Sequence, residues 1–98
     1  MALVELARYR LRDGVSEKAL LEAEGEIQRT VGPSHLGYLG RELLKAADGG
    51  YVLIMKWENQ HAAETWNQTL FASEAGRKLG PLVEASSMSM ERLTPIKP

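Results

Sequence analysis

The segment YVLIMKW, residues 51 to 57, is apolar on both faces of an extended strand except at Lys56. Successive side chains of a strand point to opposite faces, so a strand with one wet face alternates. This one does not, and any fold that contains it must cover both of its faces. The segment before it, LGYLGRELLK, also carries apolar residues in both parities: Leu36, Tyr38 and Leu44 in one, Leu39 and Leu43 in the other. Asp48-Gly49-Gly50 lies between the two segments and is a turn sequence, so together they predict a β-hairpin.

The remaining elements follow from period and punctuation. ALVELARYRL, residues 2 to 11, predicts a first strand, with Leu3, Glu5, Ala7, Tyr9 and Leu11 in one parity and Ala2, Val4, Leu6, Arg8 and Arg10 in the other. Asp13-Gly14 ends it. Ser16 is placed to cap a helix, with Val15 and Leu20 as a hydrophobic staple and Leu20, Ile27 and Val31 at helical spacing. That helix is expected to stop at VGPSH, where Gly32 and Pro33 break the pattern. Asn59 is placed to cap a second helix, with Ala62 or Ala63, Trp66 and Leu70 along one stripe. Ser73 opens a short further helix that Gly80-Pro81 closes. ASSMSMERL, residues 85 to 93, alternates as a last strand, with Met88 and Met90 opposite Ser87, Ser89 and Glu91; residues 94–98 form a tail.

The order β-α-β-β-α-(α)-β is the split βαβ arrangement of an α+β, ferredoxin-like fold, with the strands in one four-stranded antiparallel sheet. The whole of 1–98 reads as a single domain. Two main helices cover one face of such a sheet. The simplest cover for the other is the same face of a second copy, a homodimer packed through the helix-free side.

Composition removes several classes of function. The 98 residues hold 12 basic and 13 acidic side chains, a net charge of −1 with no basic block, which excludes nucleic acid as the main partner. Cysteine is absent, so disulfides, thiolate metal sites and cysteine nucleophiles are excluded. His35 and His61 are the two histidines, and no carboxylate pattern joins them into a metal site, so no metal is expected. No apolar run is long enough to span a bilayer. The opening residues carry Glu5 and do not form a signal peptide, and a cytoplasmic location is the expectation.

The stretch HLGYLGRELLKAADGGYVLIMKWENQHAAETW, residues 35 to 66, resembles the antibiotic biosynthesis monooxygenase-like superfamily of dimeric α/β barrels. The shared features are Gly37-Tyr38 after the first helix, Glu42 in the next strand, Asp48-Gly49 in the hairpin, Trp57-Glu58-Asn59 at a strand end and Ala62-Ala63 in the helix that follows. The resemblance implies a small-molecule protein, and for some members oxidation of polyphenols by molecular oxygen with no metal, flavin or other cofactor. Trp57 matches the strand-end Trp of the quinone-forming members, and Arg77 falls near their basic position. Leu53 and Ala63 stand where those members have an Asn and a Tyr. Trp66 and Phe71 resemble the second helix of the haem degraders, but Ala75 and Ala7 replace the His and Asn that haem degradation requires. The resemblance therefore implies no haem.

Candidate catalytic residues are thus Arg77 and His61. Candidate contacts to a small aromatic ligand are Trp57, Trp66, Tyr9, Tyr38, Met88 and Met90. Each also has a plainer reading. The indoles fill a core, the tyrosines pack with satisfied hydroxyls, the methionines fill gaps, and His61 and His35 sit at a helix end and in a loop. A non-catalytic ligand-binding domain and a purely structural dimer are accordingly the alternatives. An interior open between sheet and helices favours a ligand; one plugged by Trp57, Trp66, Met88 and Met90 favours a scaffold.

Overall fold

The computed structural model describes residues 2–98. Four strands, β1 (Leu3–Tyr9), β2 (Tyr38–Lys45), β3 (Tyr51–Trp57) and β4 (Ser89–Leu93), form one antiparallel sheet in the order β2-β3-β1-β4. One face carries helices α1 (Glu17–Glu26), α2 (Gln60–Ala72) and α3 (Glu74–Leu79). This is the ferredoxin-like arrangement expected from the element order.

The helix starts are set by the side chains that the sequence placed there. Ser16, Asn59 and Ser73 each accept a hydrogen bond from a backbone N–H three residues on, at Ala19, Ala62 and Gly76. The hairpin closes through Ala46 and Gly50, and the Asp48 side chain accepts from the Gly50 N–H at 2.9 Å.

Three expectations fail, at least in part, at identifiable points. The first helical segment stops within VGPSH as expected, after Ser34, but Gly32 and Pro33 are not what ends it. The chain widens into a π-helical turn over Ile27–Val31, in which the Gly32 N–H reaches back five residues to the Ile27 carbonyl, and a further helical turn, Gly32–Ser34, follows. Widening the turn relieves the clash between a proline ring and the carbonyl four residues back. Gly32 is needed for another reason: a Cβ there would collide with the Tyr38 ring. The second failure is the parity of β2. A bulge between Tyr38 and Gly40 inserts one residue, so Tyr38, Arg41 and Leu43 share the helix face while Leu44 turns to the other. The last strand is also shorter than expected, since residues 85–87 form a 3₁₀ turn before β4 begins.

The core lies between the sheet and the helices. β1 contributes Ala7 and Tyr9, and β3 contributes Tyr51, Leu53, Met55 and Trp57. α1 and the π turn contribute Leu20, Ala23, Ile27 and Val31, and α2 contributes Ala62, Ala63, Trp66 and Leu70. Trp57 is fully buried, which corresponds to roughly 4–6 kcal/mol of transfer free energy at the upper bound.

One ion pair sits inside this apolar layer. Arg41 of β2 donates from Nε and one terminal nitrogen to the two carboxylate oxygens of Glu24 on α1, both at 2.8 Å. The side chains are 2% and 3% exposed. The guanidinium also lies 5.7 Å from the Trp66 ring centre and donates to the Met55 sulfur at 3.4 Å. At the surface, Glu17 accepts from Lys45 at 2.9 Å and from the Tyr51 hydroxyl at 2.8 Å. These bonds, the Lys45 bond first, hold its carboxyl below the usual carboxylate range, but such an exposed pair contributes little to stability.

The buried pair generates a stability prediction. Arg41→Met leaves the Glu24 carboxylate buried and unpaired, so it should lower unfolding free energy by about 3–5 kcal/mol in urea denaturation. Glu24→Leu combined with Arg41→Met should recover most of that loss. A single variant within about 1 kcal/mol of the parent would contradict the pairing described.

Candidate functional site

The interior beneath the helices has two unlike halves. Toward β2 it is filled by aromatic rings. Trp57 at the end of β3 and Trp66 on α2 lie 5.2 Å apart between ring centres, and Tyr38 is 6.0 Å from each. His35, in the loop before β2, meets both indoles edge-on, at 5.8 and 5.3 Å. Its Nε2 lies 2.8 Å from the Ala62 carbonyl, which only accepts, so this nitrogen carries a proton. Nδ1 lies 2.7 Å from the Thr69 hydroxyl, and in the neutral ring it accepts that proton. His35 is therefore a pin between loop and helix, committed at both nitrogens. The loop can approach α2 because Gly37, at φ 88°, has no side chain where a Cβ would lie 2.6 Å from that of Ala62.

Toward β4 the interior is open. A cavity of about 430 Å³ lies between the sheet and helices α2 and α3. Its sheet side is formed by Glu5, Ala7 and Tyr9 of β1, Arg41 of β2, Leu53 and Met55 of β3, and Met90 and Arg92 of β4. Ala63, Trp66 and Leu70 form the helix side. Phe71, Met88 and Met90 line it too and are 51%, 45% and 52% exposed, so they frame its mouth. Ala7 gives β1 a small side chain between Glu5 and Tyr9, which leaves room over the strand.

The polar groups of the cavity come in two sets. At one end Glu5, buried in β1, accepts from the Trp57 indole Nε1–H at 2.9 Å and from Arg92 Nε at 3.0 Å. Arg92 also lies 3.9 Å from Glu64 on α2, so it reaches from sheet to helix. The other set is the Glu24–Arg41 pair with Tyr9 near it. The Tyr9 hydroxyl is buried without a hydrogen-bond partner. Burial first, and then the Glu24 carboxylate, push its pKa well above the ordinary phenol value, so it stays protonated.

The residues singled out in the sequence separate accordingly. Trp66, Tyr9, Met88 and Met90 line the cavity. Trp57 and Tyr38 pack behind Trp66 and do not line it. Arg77 lies outside it, with its guanidinium donating to the Ala72 carbonyl at 3.0 Å. His61 is exposed near the start of α2. Leu53, Ala63 and Ala7, which replace polar residues of the resembled oxygenases and haem degraders, all border the cavity. Its charged groups are instead Glu5, Arg41, Glu64 and Arg92, none of which the sequence analysis assigned to a site. The signal was available for two of them: Glu5 shares a parity with Leu3, Ala7 and Tyr9, and Arg41 shares one with Leu39 and Leu43. Among the described residues, no group of three or more His, Asp or Glu could hold a metal ion, and no helix is long and apolar enough to cross a membrane.

No protein-family model matches the sequence, and no curated protein matches it. Solved structures do. SnoaB, a cofactor-independent oxygenase from Streptomyces nogalater, superposes with a TM-score of 0.73 at 14% identity, over 99% of this chain and 95% of that one. A structure from Chloroflexus aurantiacus, described as a candidate antibiotic biosynthesis monooxygenase, gives 0.70 at 11% identity, over 100% and 96%. A NIPSNAP family protein from Agrobacterium tumefaciens gives 0.70 at 17% identity, over 98% and 94%. The fold of this chain is that of the antibiotic biosynthesis monooxygenase-like proteins.

Proposed function

We propose that this chain binds a small aromatic compound in the cavity between the sheet and α2 and oxidises it with molecular oxygen, without metal or flavin. The observation that carries the reading is the open, mostly apolar cavity of about 430 Å³, with Trp66 as one wall and charged groups held at defined places in it. A pocket of this size and lining suits a flat ring system. In cofactor-free chemistry the ligand supplies the electrons: a phenol takes up one oxygen molecule and leaves as a quinone and water. The protein's contribution is orientation, exclusion of water and a fixed electrostatic field. A fold shared with a cofactor-independent oxygenase supports the reading.

One observation favours a second reading, a domain that holds such a ligand without converting it. Arg41 and Arg92, the cations lining the cavity, are each paired with a glutamate. Neither stands free to receive a developing anion. Oxygen uptake should separate the two readings. Hydroxylated naphthalenes and anthracenes, supplied with chelator and no flavin, should consume oxygen above the rate without protein. Binding without uptake would select the second reading, and neither binding nor uptake across the panel would defeat both.

We further propose that the helix-free face is covered by the same face of a second copy. Val4, Leu6, Val52 and Ile54 lie half-buried there, and Leu44 and Leu93 are exposed beside them. Glu42 and Glu91 flank this apolar band in the row of Leu6 and Ile54, while Arg8 and Lys56 lie in the rows on either side. A two-fold axis could therefore set opposite charges against each other. Sedimentation equilibrium at micromolar concentration should give twice the chain mass, and a clean monomer would contradict the packing.

A further inference from the structure

We propose that Glu5 is the residue that selects among ligands of this cavity, favouring those that present a hydrogen-bond donor. The inference rests on the reading that the cavity takes a small aromatic compound, and it names which end of that compound is recognised and by what.

A carboxylate has two oxygens and about four acceptor sites. In Glu5 one oxygen accepts from Trp57 Nε1 at 2.9 Å and the other from Arg92 Nε at 3.0 Å. Two sites are used, and about two remain. The Glu5 side chain is 5% exposed, so water outside the protein does not serve the remainder, yet the residue lines the cavity. A buried carboxylate with spare acceptor capacity is costly to leave underused and attracts a donor. It equally repels an anion. Its two protein partners fix it in place: the indole of Trp57 is locked among His35, Tyr38 and Trp66, and Arg92 is drawn toward Glu64 as well.

The surroundings limit where a ligand's donor can go. Next to Glu5 along β1 stands Ala7, whose side chain offers no bond, and beyond it Tyr9, whose buried hydroxyl has no partner but as a neutral acceptor binds a donor less strongly than a carboxylate does. Arg41 is a donor, not an acceptor, and is engaged by Glu24. Glu64 is half-exposed on the helix side, where water competes for it. Within the buried part of the cavity wall, Glu5 is the carboxylate that a ligand hydroxyl can reach. A ring lying against Trp66 and Leu53 with its hydroxyl toward Glu5 satisfies both the apolar walls and the spare acceptor.

The test compares 2-naphthol, naphthalene and 2-naphthoate as probes, by calorimetric or fluorescence titration of the full chain. A hydrogen bond to a buried charge should make 2-naphthol bind roughly ten-fold or more tightly than naphthalene, with the naphthoate weakest. Glu5→Gln keeps an acceptor for Trp57 but turns an amide N–H₂ toward Arg92, which loses its acceptor there. It should bring the ratio of 2-naphthol to naphthalene affinity close to one and lift the penalty on the naphthoate. In the parent protein the Trp57 indole N–H resonance, identified by its loss in Trp57→Phe, should shift with 2-naphthol more than with naphthalene. This readout needs no folded Glu5 variant. Equal binding of 2-naphthol and naphthalene to the parent, with equal indole shifts, would overturn the role of Glu5 and leave the cavity reading standing. Failure of all three probes to bind would defeat the cavity reading and this inference with it.

Discussion

The indole N–H of Trp57 is fully buried, and the acceptor it finds is the carboxylate of Glu5, across the β1–β3 pairing. A buried indole must place its one donor, and in an apolar layer the cost of failing to do so is of the same order as a sizeable fraction of a small domain's stability. That requirement carries a charged side chain into the interior, and the charge in turn holds Arg92 of β4 over the end of the cavity. Packing on one side of the sheet and polarity on the other side of Trp66 are therefore coupled. The filled half of the interior fixes the chemistry of the open half.

Trp57 and Trp66 consequently play different parts although both are buried tryptophans. Trp57 closes the aromatic cluster and orients a carboxylate, while Trp66 has one face against that cluster and borders the cavity. The interior is plugged by Trp57, Tyr38 and His35 near β2 and open near β4, where Met88 and Met90 frame a mouth instead of filling it. Proteins described as an oxygenase and as a NIPSNAP family member share this fold. The fold alone therefore does not choose a reaction, which depends on the side chains set on it.

Local chemistry was the most legible part of the sequence. Ser16, Asn59 and Ser73 cap helices because each is a short polar side chain set just before an apolar stripe, and Asp48-Gly49-Gly50 turns the hairpin for reasons contained in those residues. What escaped depends on contacts made at a distance. The bulge after Tyr38 reverses the parity of Leu44, and no local signal distinguishes a bulged strand from a regular one. His35 looks like a loop residue until α2 supplies Thr69 and the Ala62 carbonyl. Arg77, which the resemblance implies as a basic site residue, is exposed on α3 and donates to the Ala72 carbonyl, because a match of position along the chain says nothing about which way a short helix faces. Glu5, Glu24 and Arg41 are the reverse case: charged residues on otherwise apolar faces, whose partners could be found only once the elements were assembled.

The interior is divided, open beside β4 and filled beside β2. Methyl NMR with a small apolar probe such as benzene tests it most directly. Added probe should shift the methyl signals of Met55, Met88, Met90 and Leu70, which border the cavity, and leave those of Ile27 and Val31 in place. Shifts at Ile27 and Val31 with none at the methionines, or a response confined to Val4, Leu6 and Ile54 on the helix-free face, would contradict the division.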